Sequence, residues 1–295
     1  MTARDTPETL IARGDALRDG GQPDEALAAF TAALALRPRD SAAWRGLAKA
    51  QLNLGDKAAA RFSFAQALAI VPYDLYSAHM LAALSGEASQ RAARYVPDLF
   101  DTYADGFDAH LTGPLNYRIP EAIRSLLAER APFDTLLDLG CGTGLVGAAL
   151  ADMVAAMDGI DIAPRMVRKA HERGIYRHLR TGDALTVLAQ DHDLAGPYDL
   201  VVAADVFVYI GPLAAMFAAL ADKLVSGGLL VFSVETASGD DPILRASGRF
   251  AHPPAYIARL ARQHGFALML EQQHPIRQER DQPIPGLLYL LARNG

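Results

Sequence analysis

The sequence predicts an α/β fold, a mostly parallel sheet covered by helices on both faces, with a separate all-α block ahead of it. Three observations predict this. Beyond residue 131 the chain alternates strand-like and helix-like stretches joined by short connections, the pattern of a parallel sheet. Three of those strands, TLLDL, LVVAA and LLVFSV, are apolar along their whole length, as central parallel strands are. Before residue 86, similar residues instead recur at a fixed offset of 34.

The offset runs through the N-terminal block. Pro38 matches Pro72, Leu10 matches Trp44, Gly14 matches Ala48, Ala26 matches Ala60, Phe30 matches Phe64 and Ala33 matches Ala67. Gly20-Gly21 and Gly55 break each unit into two helices. Small residues let the helices approach closely, and Phe30 and Phe64 fill the space between neighbouring pairs. These positions resemble the tetratricopeptide repeat, with repeats at about 7–40 and 41–74. A third unit begins at Leu75 and loses the pattern after Leu84, so residues 75–85 read as a capping or docking helix that completes a domain over 1–85. Two repeats are fewer than the roughly three usually needed for independent stability. The block therefore leans on the rest of the chain or on a second copy of itself. Its first reading is structural or dimerising, its second a groove for a protein partner.

Residues 86–131 read as a helical connector, with Pro97 and Pro120 where helices can start. The third part, 132–295, carries strands near 134–139, 156–161, 177–181, 198–204, 228–235, 266–273 and 286–293. Its helices fall near 145–152, 164–174, 212–224 and 254–264.

Composition narrows the function. With 51% hydrophobic and 21% charged residues the chain has the make-up of an ordinary globular protein. A net charge of −6 argues against a nucleic-acid binder, which needs a basic face to neutralise phosphates. No apolar run reaches the roughly 18 residues of a membrane span, and the start MTARDTPETL is not that of a signal peptide. The single cysteine, Cys141, has no internal disulfide partner, which points to a reducing, cytoplasmic setting. No His, Cys and acidic residues share metal-ligand spacing, so no catalytic metal is expected.

The chemistry is carried by TLLDLGCGTGLVGAAL, which reads as strand, glycine-rich turn and helix. Glycine allows a left-handed backbone and close approach to a ligand, and such a turn suits a nucleotide-like ligand at the carboxyl edge of a parallel sheet. Gly142, Gly144 and Gly147 also satisfy the dinucleotide pattern G-x-G-x-x-G. Two features count against a dinucleotide. The strand ends in Asp138, whose charge would not help a pyrophosphate but would help the ammonium and sulfonium of S-adenosylmethionine. Two further acids then close successive strands: Asp161 in DGIDIAP can accept from both ribose hydroxyls, and Asp183 in RTGDAL can accept from an adenine amino group.

These residues resemble the class I S-adenosylmethionine-dependent methyltransferases, over roughly residues 95–293. The resemblance implies a Rossmann-like sheet of seven strands, the last antiparallel and formed by GLLYLLAR. It implies S-adenosyl-L-methionine as cofactor, held by Asp138, Gly140, Cys141, Gly142 and Gly144, by Asp161 and Asp183, and by Ile162 and Ala184 flanking the adenine. Ala204 and Tyr103 complete the expected set. Cys141 reads as a small residue of the turn rather than a nucleophile.

The methyl acceptor is expected over the fourth strand, whose end is AADVFVYIG, placing Asp205 and Tyr209 at that edge. The [D/N]-P-P-[F/Y] tetrad of many amino-group methyltransferases is not present there. The polar insertion VETASGDDPILRASGRFAHPPAY adds Glu235, Arg249 and His252 as groups that orient the acceptor or take its proton, His252 by virtue of an ordinary pKa suited to a base. In the connector, Tyr95, Tyr103, Phe107 and His110 can close as a lid, while the helical spacing of Phe100, Tyr103 and Phe107 equally fits core packing. FDTYADGFDAHL, VYIG, SGRFAH and PIPGLLYLL together resemble a subgroup of methyltransferases bearing tetratricopeptide repeats. The expected activity is methylation of a small-molecule acceptor; the alternatives are a protein methyltransferase that recruits its target through the repeats, and a non-enzymatic cofactor-binding protein.

Overall fold

The computed structural model describes residues 5–87, 90–194, 196–279 and 282–295. The chain forms two compact units, Met1–Tyr95 with Leu244–Arg249, and Val96–Ile243 with Phe250–Gly295.

The first unit contains α1 (Pro7–Asp19), α2 (Pro23–Leu36), α3 (Ser41–Asn53), α4 (Lys57–Ile70) and α5 (Leu75–Ser85). Each repeat's caps recur with the offset. Asp40 and Asp74 accept from the backbone N–H groups of Ala43 and Ser77 at 3.0 and 3.1 Å, and so supply partners for donors that a helix start leaves free. Phe30 is fully buried between α1 and α3, where a Cβ on Gly14 or Gly46 would come within 2.8 or 2.2 Å of its ring. Phe64 repeats the arrangement one pair later and meets Tyr76 edge-on at 5.9 Å.

Among the described residues, the helix that follows α5 has only four residues, Gln90–Ala93, so α5 lacks the full partner helix of a third repeat. Part of its surface is taken up by the turn 244–249: the Tyr76 hydroxyl donates to the carbonyl of Ala246 at 2.6 Å, and His79 Nε2 lies 2.9 Å from the carbonyl of Gly248. The ring of His79 stacks on Tyr95 at 4.6 Å. Burial holds the His79 pKa below its ordinary value, so the neutral ring with its proton on Nε2 makes this bond. Gly248 adopts φ +83°, a left-handed conformation that glycine takes without strain, and an added Cβ would only touch Tyr76, His79 and Tyr95 at 3.4–3.6 Å.

The second unit is built on β1 (Phe133–Leu139), β2 (Val154–Asp161), β3 (His178–Thr181), β4 (Tyr198–Ala203), β5 (Leu224–Glu235), β6 (Phe266–Gln273) and β7 (Gly286–Arg293). They form the order β3-β2-β1-β4-β5-β7-β6. β7 runs antiparallel between β5 and β6, and the β1 to β5 pairings are parallel. Two-residue strands at Ile243–Leu244 and Phe250–Ala251 extend the sheet off this path. The helices are α6 (Tyr95–Tyr103, whose first residue falls in the first unit), α7 (Phe107–Thr112), α8 (Ile119–Leu127), α9 (Leu145–Leu150), α10 (Pro164–Glu172), α11 (Ala184–Gln190), α12 (Ala214–Lys223) and α13 (Pro254–Gln263).

Alternation along the strands divides the core between the two faces. Leu137 and Leu139 of β1 join Val201, Phe232 and Tyr289 under α12 and α13, while Leu136 joins Val202, Val231 and Leu290 under α8 and α9. The strand order reverses between β1 and β4, which opens a crevice at their carboxyl ends.

The structure differs from the sequence expectation at two places. It adds α11, whose sequence, ALTVLAQ, is short and includes β-branched Thr186 and Val187, which weaken a helical reading. β5 begins at Leu224 rather than 228, running through Gly227 and Gly228.

Candidate functional site

The glycine turn leaves β1 with three left-handed residues at alternate positions, Gly140 at φ +69°, Gly142 at +54° and Gly144 at +88°. Its first two amides, of Gly140 and Cys141, both donate to the carbonyl of Ile160 at 2.7 and 2.9 Å, which fastens the turn to the end of β2. Neighbours explain most of the glycines. A Cβ on Gly140 would meet Val206 at 2.2 Å, and one on Gly147 would meet the Tyr176 hydroxyl at 2.3 Å. Gly142 differs, since its open side meets only Phe107 at 3.8 Å. There the bare backbone faces a space that a ligand can enter.

Asp161 sits at the end of β2, directly behind that space. Its Oδ2 accepts from the Gly142 amide and its Oδ1 from the Ala163 amide, both at 2.8 Å. Burial pushes its pKa up to about 6 against the pull of those amides. Asp138 is 1% exposed on the α9 side of the sheet, and its Oδ2 accepts from the Tyr176 hydroxyl at 2.6 Å. Burial raises it to about 7. Asp138 thus lies under the turn, where it braces Tyr176 against Gly144, Gly147 and Gly159, rather than in the opening. Cys141 is buried too, and burial together with Asp138 and Asp161 holds its thiol well above the usual range, which leaves it inert as a nucleophile.

Asp183 follows β3 and is exposed. Its Oδ1 caps α11, accepting from the amide and hydroxyl of Thr186 at 3.0 and 2.9 Å. Ile162, Ala184 and Ala204 are half-buried. Tyr103, from α6, meets Phe107 and His110 edge-on, and its buried hydroxyl has no hydrogen-bond partner among the described residues. Tyr95 does not join them; it stacks on His79 in the first unit.

The acceptor-side candidates separate. Asp205, just past β4, takes φ +56°, a strained value for a residue with a side chain, and its amide donates to Ser233 Oγ at 2.9 Å. Tyr209 packs edge-on to Phe100 at 5.4 Å. Glu235, at the end of β5, is 2% exposed and bonded at 2.8 Å to Arg277, a residue the sequence reading did not single out. Arg277 is itself buried, binds Glu279 at 2.7 Å and stands 3.5 Å from Asp205. His252 has no exposed surface; its Nε2 lies 3.0 and 3.1 Å from the carbonyls of Ile210 and Gly211 and burial lowers its pKa. That geometry makes it a brace for the loop after β4. Arg249 lies in the first unit, in the turn where the Arg245 amide donates to its carbonyl at 2.8 Å.

Asp138 supplies a prediction. Its folded pKa is above that of an unfolded aspartate, so the folded chain holds the extra proton and stability falls as pH rises toward about 7. At about 1.4 kcal/mol for each pH unit crossed, wild type is expected to lose about 3 kcal/mol between pH 5 and 8 that Asp138→Asn does not lose. Thermal melts of both proteins without ligand measure this. Parallel pH curves would contradict the burial argument.

Comparison with known proteins agrees with this geometry. Residues 110–273 match the family described as a methyltransferase domain, and residues 11–74 match the tetratricopeptide repeat. A ubiquinone biosynthesis O-methyltransferase of Thiobacillus denitrificans is 27% identical over 174 residues, 53% of this chain and 72% of that protein. A malonyl-[acyl-carrier protein] O-methyltransferase of Geobacter sulfurreducens is 33% identical over 164 residues, 54% of this chain and 59% of that one, so the chain spans about three fifths of its length. Among solved structures, the magnesium protoporphyrin IX methyltransferase of Synechocystis with bound S-adenosylmethionine superposes with a TM-score of 0.52 at 23% identity, covering 70% of this chain and 99% of that one. Among the described residues no helix is long and apolar enough to cross a membrane, and no group of three or more His, Cys, Asp or Glu is placed to hold a metal ion.

Proposed function

Because the chain belongs to the S-adenosylmethionine-dependent methyltransferase family, we propose that it methylates a small organic acceptor bound beside the carboxyl ends of β4 and β5. The observation that carries this reading is the opening at Gly142, backed by a carboxylate whose two oxygens are already held by backbone amides. The fit to the cofactor is good. A bare glycine backbone allows close approach, Asp161 offers its remaining lone pairs to hydroxyls, and exposed Asp183 keeps its Oδ2 for an amino group while Oδ1 caps α11. Ile162 and Ala184 supply apolar flanks, and Tyr103 an unsatisfied hydroxyl.

S-adenosylmethionine supplies a methyl carbon on a sulfonium, open to in-line displacement. The protein's task is then alignment and exclusion of water. Asp205 and Tyr209 are the groups we assign to orienting the acceptor, with Glu235 and Arg277 holding the edge of β5 in place beneath them. Asp205 is the candidate base where the acceptor keeps its proton at neutral pH. His252 serves by bracing the 207–211 loop. Two relatives, one named for ubiquinone biosynthesis and one for malonyl-[acyl-carrier protein], support a small acceptor group.

The test uses full-length protein with tritium-labelled S-adenosylmethionine and a fractionated cell extract. Label is expected in the small-molecule fraction. Label confined to macromolecules would instead favour recruitment of a protein target through the repeats. Calorimetry should show binding of S-adenosylmethionine and of its demethylated product, and absence of both would sink the assignment altogether.

A further inference from the structure

Three acids and three bases face each other between α6–α7 and α10. Asp101, Asp105 and Asp108 are spaced along one side; Arg165, Lys169 and Arg173 are spaced along the other. The Arg165 amide donates to Asp101 Oδ1 and its guanidinium to the Asp101 carbonyl, both at 2.8 Å. The same guanidinium reaches Asp105 at 2.5 Å, and Lys169 stands 3.5 Å from Asp105. Arg173 donates to Asp108 at 2.6 Å. Beneath these charges Phe100, Ala104 and Phe107 pack on Ala163 and Met166.

The last rung also reaches the glycine turn. Arg173 Nε donates to the carbonyl of Thr143 at 2.6 Å, and the Thr143 hydroxyl donates to Asp108. The stem of Arg173 lies where a Cβ on Gly144 would come within 2.9 Å of its Cδ. Thr143 is 3% exposed and stands between the two glycines of the turn that flank it. Arg173 therefore ties three things together: the end of α10, the helix α7 beside Gly142, and the backbone of the turn itself.

We propose that Arg173 is a positioning residue for the cofactor turn, and that the acid–base ladder it ends sets how fast S-adenosylmethionine and its demethylated product exchange. This rests on the cofactor reading given above. The rungs are suited to reversible opening. The side chains of Asp105 and Arg165 are 70% and 37% exposed and those of Asp108 and Arg173 43% and 29%, so each rung is weak singly and screened by salt. The apolar contacts below hold the cap in register while the charged rungs decide how readily it lifts. Because Arg173 grips the Thr143 carbonyl as well as Asp108, lifting α7 loosens the turn in the same movement.

The experiment measures dissociation of S-adenosylhomocysteine from the full chain by stopped flow, with affinity by calorimetry. That product has no net charge near neutral pH, so salt acts on the protein's own charges rather than on ligand attraction. Arg173→Met is expected to weaken binding about tenfold, carried by faster dissociation. Raising salt to about 0.5 M should speed dissociation from wild type several-fold and change little in Arg165→Met/Arg173→Met. A purely structural role would lower the melting temperature without removing that salt response. Where Arg173→Met does not fold, Asp108→Asn, which keeps the shape and removes the charge, carries the same expectation. Dissociation and affinity within twofold of wild type, or an unchanged salt response in the double variant, would overturn the proposal and leave the cofactor reading standing. Wild type that binds neither S-adenosylmethionine nor S-adenosylhomocysteine would overturn both.

Discussion

Asp161→Ala is expected to weaken S-adenosylmethionine binding by roughly a hundredfold while the protein stays folded. The carboxylate holds the Gly142 and Ala163 amides at 2.8 Å each, and its remaining lone pairs are the ones we assign to the ligand. Hydrogen bonds to a charged group are worth about 1.5–3 kcal/mol each. Losing those to the ligand, and the hold on Gly142, amounts to about 3 kcal/mol, or two powers of ten. Stability suffers less, because burial already penalises this carboxylate and lifts its pKa to about 6. Removing it returns that penalty against the two lost bonds. Asp161→Asn keeps one acceptor oxygen and should fall between. Calorimetry at neutral pH measures the affinities, and unchanged binding by the alanine variant would remove Asp161 from the site.

Phe30→Ala is expected to cost about 3–5 kcal/mol, enough to unfold the short repeat unit near room temperature. The ring is fully enclosed, and two glycines leave the room it occupies. The hole is flanked by Gly14 and Gly46, which carry no side chain to fill it. Trp44, the one tryptophan of the chain, belongs to the same cluster and donates from its indole N–H to the carbonyl of Pro38 at 2.9 Å. Its emission should shift to that of the denatured protein. A native Trp44 spectrum in the variant, with an unchanged urea midpoint, would show that the ring does not hold the repeats together.

The parts of this protein that read well from sequence are those encoded locally. The offset of 34 marks the repeats because each helix pair solves the same packing problem with the same residues. The seven strands and the glycine turn read well because apolar runs and left-handed glycines act over a few residues. Asp183 shows the limit of such reading: the sequence suggests a ligand there, while the same acid before ALTV also caps α11. The remaining omissions are pairings across distance. Arg277 finds Glu235 42 residues away, Arg173 finds Asp108 65 away, and neither pair leaves a local trace. The residue type of His252 suits an open base, whereas its place in the fold is decided by the carbonyls of Ile210 and Gly211.

The turn against α5 has a consequence for how the chain is made. Tyr76 waits for Ala246, 170 residues further on. At synthesis rates of about 5–20 residues per second that interval lasts roughly 10–30 s. The repeats therefore leave the ribosome without the turn that bonds Tyr76 and His79 of α5, and they stay so until the sheet strands up to β5 have followed. A nascent chain stalled before residue 244 should hold its repeats in a looser, more protease-sensitive state than the finished protein, with the catalytic half of the gene supplying the final piece of the N-terminal one.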